Sequence, residues 1–194
     1  MTISDKLKAA IRSGSCKSVC RDLGPKPFIR IGEFRDELVR ANLYESVLVS
    51  VYRTARDNRA EFTTEQIVAF FEFGNRDEFQ ACGQHFSPEQ EFDLFRGVAG
   101  VEPRRKAAGL SWTSCRRVAC WFAWQTERFR DFDPAVYVAT ISAADVFVVH
   151  DKEREVIARP PAQITRLDLT VEDIEREHDA HQATVEAIFR GGTD

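Results

Sequence analysis

Three short segments in the second half of the chain carry residue types that can do chemistry: Leu94-Phe95-Arg96-Gly97, Gly109-Leu110-Ser111-Trp112-Thr113 and Glu153-Arg154-Glu155-Val156. Arginine offers a planar fork that binds a phosphate through two hydrogen bonds, which makes Arg96 a candidate anion clamp. Serine both donates and accepts, so Ser111 can orient a carboxylate or a sugar hydroxyl. Glu153 and Glu155 stand two residues apart, so on a strand they point to the same side. Neighbouring carboxylates can separate in pKa and divide their roles, one a charged stabiliser and the other a base. Each segment alone also has a plain structural reading: a partly buried arginine, a turn or helix cap, and a solvated strand face.

In this order, and with Ala119-x-Trp121-Phe122-Ala123 after the second, the segments resemble the ADP-ribosyltransferase fold. The resemblance is to its arginine–serine–glutamate class, shared by cholera-type and clostridial binary toxins and their bacterial and phage relatives. It covers roughly Phe92 to Pro160. It leaves the first ninety residues unassigned and implies a split β-sheet catalytic core. Local patterns along the chain add a mainly helical N-terminal region over residues 1–90, packed on that core, and a C-terminal helix that completes 91–194, so the chain reads as α+β. The resemblance implies NAD as the substrate, no metal, and a catalytic set of Glu155, Glu153, Arg96 and Ser111. NAD would be held by Arg96, Gly97, Ser111, Trp112, Thr113 and Phe122. Positive charge builds on the ribose as nicotinamide leaves, and by family placement Glu155 is the carboxylate that stabilises it, as in glycoside cleavage. Glu153 takes the acceptor side, where a guanidinium with a pKa above roughly 12 must be held and deprotonated.

Two features depart from the family pattern. The middle motif reads Ser-Trp-Thr where Ser-Thr-Ser is common, which gives Thr113 the place of the third residue. Only fifteen residues separate Arg96 from Ser111, a gap much shorter than in the large toxins and suited to a minimal core. Trp112, Trp121, Phe122 and Trp124 are all candidates to stack on nicotinamide, each with core packing as its other reading. The expected activity is transfer of ADP-ribose from NAD to a protein arginine or to nucleic acid. The family context suggests a cytoplasmic toxin or effector of a toxin–antitoxin or anti-phage system, with an antitoxin or regulatory protein as partner. An NAD glycohydrolase and a catalytically silent interaction module are the two alternatives.

The elements that must position these residues follow from local patterns. The chain has 194 residues, and its fifteen Phe and three Trp supply bulk for a real core at that length. Ser4 can cap a helix carrying Leu7, Ala10 and Ile11 on one face. Residues 16–32 read as a loop broken by Gly24, Pro25 and Pro27. Residues 33–56 fit a helical stripe, with a strand as the other reading of the β-branched run Val47–Tyr52. Thr63-Thr64-Glu65-Gln66 and Ser87-Pro88-Glu89-Gln90 are helix-start signals. From about Phe92 the grammar changes: strands at Leu94–Val98, Leu110–Thr113, Ala135–Ile141, Val146–Val149 and Glu155–Ala158, with a loop over 100–109 and a helix over 114–125 between them. Thr170-Val171-Glu172-Asp173 opens a last amphipathic helix.

The remaining signals set bounds on partners. The net charge is −4, which argues against a protein held to nucleic acid by bulk charge. Arg104, Arg105, Lys106, Arg116, Arg117, Arg128 and Arg130 nevertheless concentrate positive charge near the motifs. They read either as a solvated face or as a patch for an acidic acceptor such as RNA or DNA, through Arg104, Arg105 and Lys106 above all. The start of the chain has no apolar run of signal-peptide length, and no stretch approaches the roughly 18 apolar residues that cross a bilayer, so no membrane partner is expected. Five cysteines, an odd number, suit a reducing cytosol, and Cys16-x-x-x-Cys20 reads as a pair of structural thiols. His178-x-x-His181 reads as part of a half-buried apolar stripe, with metal binding as the weaker reading. His150 reads as a strand-end residue bordering the glutamates, and His85 carries no signal.

Overall fold

A computed structural model describes residues 2–54, 61–100, 107–125, 133–151 and 154–191. The chain separates into two units, Met1–Gly83 and Gln84–Asp194.

Among the described residues the first unit is helical throughout: α1 (Ile3–Arg12), α2 (Cys16–Asp22), α3 (Pro27–Glu33), α4 (Arg35–Arg40), α5 (Tyr44–Thr54), α6 (Thr64–Phe73) and α7 (Arg76–Ala81). Thr2, not Ser4, caps α1. Its hydroxyl accepts from the Asp5 amide at 3.1 Å while the Asp5 carboxylate accepts from the Thr2 amide at 3.0 Å, satisfying two orphan N–H groups at once. The buried face of α1 is Leu7, Ala10 and Ile11, as the spacing predicts.

The loop expected over 16–32 is corrected to two helices. Ser15 caps α2 and Pro27 opens α3 at its first turn, where a missing N–H costs nothing. The break is confined to the few residues around Gly24, whose φ of 72° turns the chain. Val47–Tyr52 lies inside α5, not in a strand; Val47, Leu48, Val51 and Tyr52 are all buried along it, and helix packing overrides their β preference. Thr63 and Gln66 form the capping box of α6.

The second unit is built on β1 (Glu91–Val98), β2 (Ser111–Thr113), α8 (Arg116–Trp124), β3 (Ala135–Ser142), β4 (Val146–Val149), β5 (Glu155–Ala158), β6 (Thr165–Arg166) and α9 (Val171–Gly191). Ser87–Gln90 forms a turn and no helix. The Gln90 amide returns to the Ser87 carbonyl at 3.1 Å, and the Gln90 carbonyl accepts from Ala143 at 2.9 Å, which sets the chain on an extended path into β1. The strands join in one six-stranded sheet in the order β4-β5-β2-β1-β3-β6, each described pairing antiparallel, where the resemblance implies a split sheet.

Both faces of this sheet are covered. Phe92, Leu94, Trp112, Ala139, Ile141, Val146, Val156 and Ala158 pack together on one. On the other, Phe95 and Val136 meet Ala119, Cys120 and Ala123 of α8 and Ile174 of α9. Thr170 caps α9 by accepting from the Asp173 amide at 3.1 Å. His178 and His181 lie against Trp124 and Trp121, with ring centroids 6.1 and 5.8 Å apart, so the histidine pair belongs to the stripe that docks α9 on α8. Among the described residues no helix is long and apolar enough to cross a membrane.

Candidate active site

The two strands nearest the sheet centre, β1 and β2, and their neighbour β5 carry the three motifs. β2 pairs with β1 through Phe95 and Thr113, and with β5 through Ser111–Ile157, Trp112–Val156 and Thr113–Glu155. Alternation along the strands then places Phe95, Gly97, Ser111, Thr113 and Glu155 on the face that α8 covers, and Leu94, Arg96, Trp112 and Val156 on the other.

On the α8 face the Ser111 hydroxyl donates to Glu155 Oε1 at 3.0 Å. Both residues are half-buried, so the carboxylate is held by a neutral donor at a place that solvent-borne molecules can still reach. Thr113 is 4% exposed, and its hydroxyl oxygen accepts from the Cys115 amide at 3.2 Å. It thus leads β2 into α8.

Arg96 joins the pair from the opposite face. Its Nη1 donates to the backbone carbonyl of Ser111, so it acts on the serine through the main chain. A Cβ built on Gly109 would overlap Arg96 Nη2 and lie 2.8 Å from Cζ. Gly109 is therefore the residue that lets the guanidinium lie flat against the chain before β2. The indole N–H of Trp112 donates to the Gly109 carbonyl at 2.9 Å and fixes that approach. Trp112, Gly109, Arg96, Ser111 and Glu155 form one connected series of contacts across three strands. Sequence reading missed Gly109, because nothing local marks its contact with Arg96.

Two of the residues expected to hold NAD have other work here. Gly97 lies under α8: a Cβ on it would overlap the Ala119 carbonyl oxygen and come within 2.8 Å of the Ala123 amide nitrogen. Trp112 is 2% exposed in the core. Both therefore pack the sheet: Gly97 against α8, and Trp112 in the core on the opposite face. Phe122 is half-buried on α8 with its ring 4.9 Å from Trp121.

Glu155 begins β5. The Arg154 amide donates to the Asp151 carbonyl at 2.9 Å, and the His150 amide to the Glu155 carbonyl at 2.7 Å. Arg154 adopts φ 48°, a left-handed conformation uncommon for a residue with a side chain. The Ser114 amide donates to the Arg154 carbonyl at 3.1 Å, tying the end of β2 to the residue before β5. Glu153 lies outside the described residues, as do Arg104, Arg105, Lys106, Arg128 and Arg130. Arg116 and Arg117 of the basic cluster are held by the Glu177 carboxylate, at 2.9 and 3.1 Å; these bonds keep Glu177 below the usual carboxylate range. Among the described residues no group of three or more His, Cys, Asp or Glu could hold a metal ion.

Compared with protein-family models, with curated proteins and with solved structures, the chain matches none.

Proposed function

We propose that this chain is a mono-ADP-ribosyltransferase, moving ADP-ribose from NAD to a macromolecular acceptor with release of nicotinamide and a proton. The observation that carries the reading is the hydrogen bond from Ser111 to Glu155, made between residues 44 apart in the chain. Arg96, Ser111 and Glu155 come from three segments whose order suggested this chemistry, and they sit on three adjacent strands, linked by contact.

The chemistry asks for a carboxylate beside a ribose carbon that becomes positively charged as the bond to nicotinamide breaks. Glu155 is suited to that role because Ser111 holds one carboxylate oxygen and so fixes the direction of the other. A fixed negative charge stabilises a developing cation without the cost of reorienting solvent. Arg96 positions Ser111 through its carbonyl, and Gly109 and Trp112 position Arg96. Mono-ADP-ribosylation at this site therefore rests on Glu155 as the reacting residue and on the other four as its support.

The test is incubation of the purified chain with NAD labelled in its adenylate part, together with cell lysate left intact or treated with nuclease or protease. Label that survives nuclease and is lost to protease identifies a protein acceptor, and the reverse identifies a nucleic acid. Free ADP-ribose alone would point to hydrolysis. An absence of both products, with a folded protein, contradicts the proposal.

A further inference from the structure

The helical unit carries a second chemically capable group, remote in sequence from the motifs above. Cys16 and Cys20 are four residues apart on α2, so they share one helix face, and their sulfurs lie 3.9 Å apart. Both are half-buried and so accessible to small molecules. α2 packs on α5, which places the hydroxyls of Ser46 and Ser50, also four residues apart, beside Cys16 and Cys20 respectively. Two thiols and two hydroxyls thus face each other in register across a helix pair. A hydrogen bond shared between the two sulfurs favours one thiolate in the pair: the contact with Cys20 holds Cys16 down to about 6, against the opposing effect of its partial burial. Cys20 is pushed up by that same bond and by burial, so it keeps its proton. Burial pushes Cys82 and Cys120 up to about 11. The pair is thus organised as an attacking thiolate and a protonated partner.

We propose that Cys16 and Cys20 form a redox-active dithiol that is oxidised by low-molecular-weight disulfides such as oxidised glutathione. The Cys16 thiolate attacks one sulfur of the small disulfide, forming a mixed disulfide and expelling one small thiolate, which takes a proton from water. Cys20 then gives its proton to solvent and attacks the Cys16 sulfur, closing the Cys16–Cys20 bond and expelling the second small thiolate. One small disulfide is reduced to one thiol and one thiolate, and the protein dithiol loses two electrons. On a helix, Cβ atoms four residues apart are about 5–6 Å from each other, whereas a relaxed disulfide wants about 3.5–4.5 Å. The closed form therefore strains α2 and reopens readily in excess reduced thiol, as reversible regulatory disulfides do. In a reducing compartment this makes a transient mark of thiol poise on the helical unit, in place of the structural role read from the sequence.

The full-length chain is incubated near neutral pH with oxidised glutathione, quenched in acid and mapped by peptide mass spectrometry. The wild type is expected to yield a Cys16–Cys20 disulfide. Cys20→Ser is expected to accumulate glutathione on Cys16 at least about tenfold faster than on Cys82, Cys115 or Cys120. A second measurement needs no variant: under limiting iodoacetamide, Cys16 of the wild type is alkylated first. Alkylation of Cys16 no faster than of the other cysteines, or mixed disulfide distributed evenly among them, overturns the proposal.

Discussion

The hydroxyl of Ser111 reaches Glu155 diagonally. In the β2–β5 pair Ser111 is in register with Ile157 and Glu155 with Thr113, yet Oγ and Oε1 are 3.0 Å apart. Diagonal neighbours on one sheet face are about 7–8 Å apart at the backbone, so both side chains must lean toward each other. That lean is what a site needs from a positioning serine. Loss of a hydrogen bond to a charged group costs about 1.5–3 kcal/mol. Ser111→Ala is accordingly expected to lower NAD-dependent transfer by about tenfold to a hundredfold, in a chain that still unfolds cooperatively with its midpoint lowered by about 10 °C at most. Unaltered transfer would remove Ser111 from the site.

Gly97 and Gly109 are expected to respond to alanine in opposite ways. At Gly97 the added methyl meets backbone of α8 at Ala119 and Ala123, and backbone cannot step aside without moving the helix. Gly97→Ala should lose about 3 kcal/mol or more, read by denaturant unfolding. At Gly109 the methyl meets the end of a flexible side chain, Arg96. Gly109→Ala should stay folded, within about 1 kcal/mol of the wild type, while its transfer rate falls as the guanidinium leaves the Ser111 carbonyl. Equal destabilisation by the two changes would contradict this division.

The clamp of Glu177 on Arg116 and Arg117 gives a pH signature. Its carboxyl is held below the ordinary value of 4.5, so its contribution is present above that value and is lost as pH falls through the lower, folded-state value. All three side chains are partly exposed, which limits the effect to about 1 kcal/mol. Glu177→Gln should be less stable than the wild type at pH 7, with the gap closing in acid and in high salt. A gap that is the same at pH 7 and in acid would mean that packing, and not charge, holds α9 to α8 at this point.

What could be read from the chain alone was local in origin. Thr63 and Thr170 announced their helices because a capping hydroxyl acts within three residues, and the long strands announced themselves by β-branched runs. Residues 16–32 were misread because Pro27 breaks a helix it sits inside but begins one it sits at. The contacts that organise the site are of another kind. That Gly97 lies under Ala119, that Gly109 admits Arg96, and that Arg154 takes a positive φ all depend on register and on packing between strands distant in sequence. The residue types of the candidate site were visible, whereas the contacts of Arg96 with the Ser111 carbonyl and of Trp112 with the Gly109 carbonyl needed the sheet.

The central claim is that the Glu155 carboxylate acts on the ribose bond of NAD. Its most direct test is nicotinamide release by wild type and Glu155→Gln, each supplied with NAD and lysate and matched by circular dichroism. Glutamine keeps the size of the side chain and an oxygen for Ser111 to donate to, and removes only the charge. The account predicts release by the wild type and a loss of at least about a hundredfold in the variant. Equal release by both proteins, or none from a folded wild type, would contradict it.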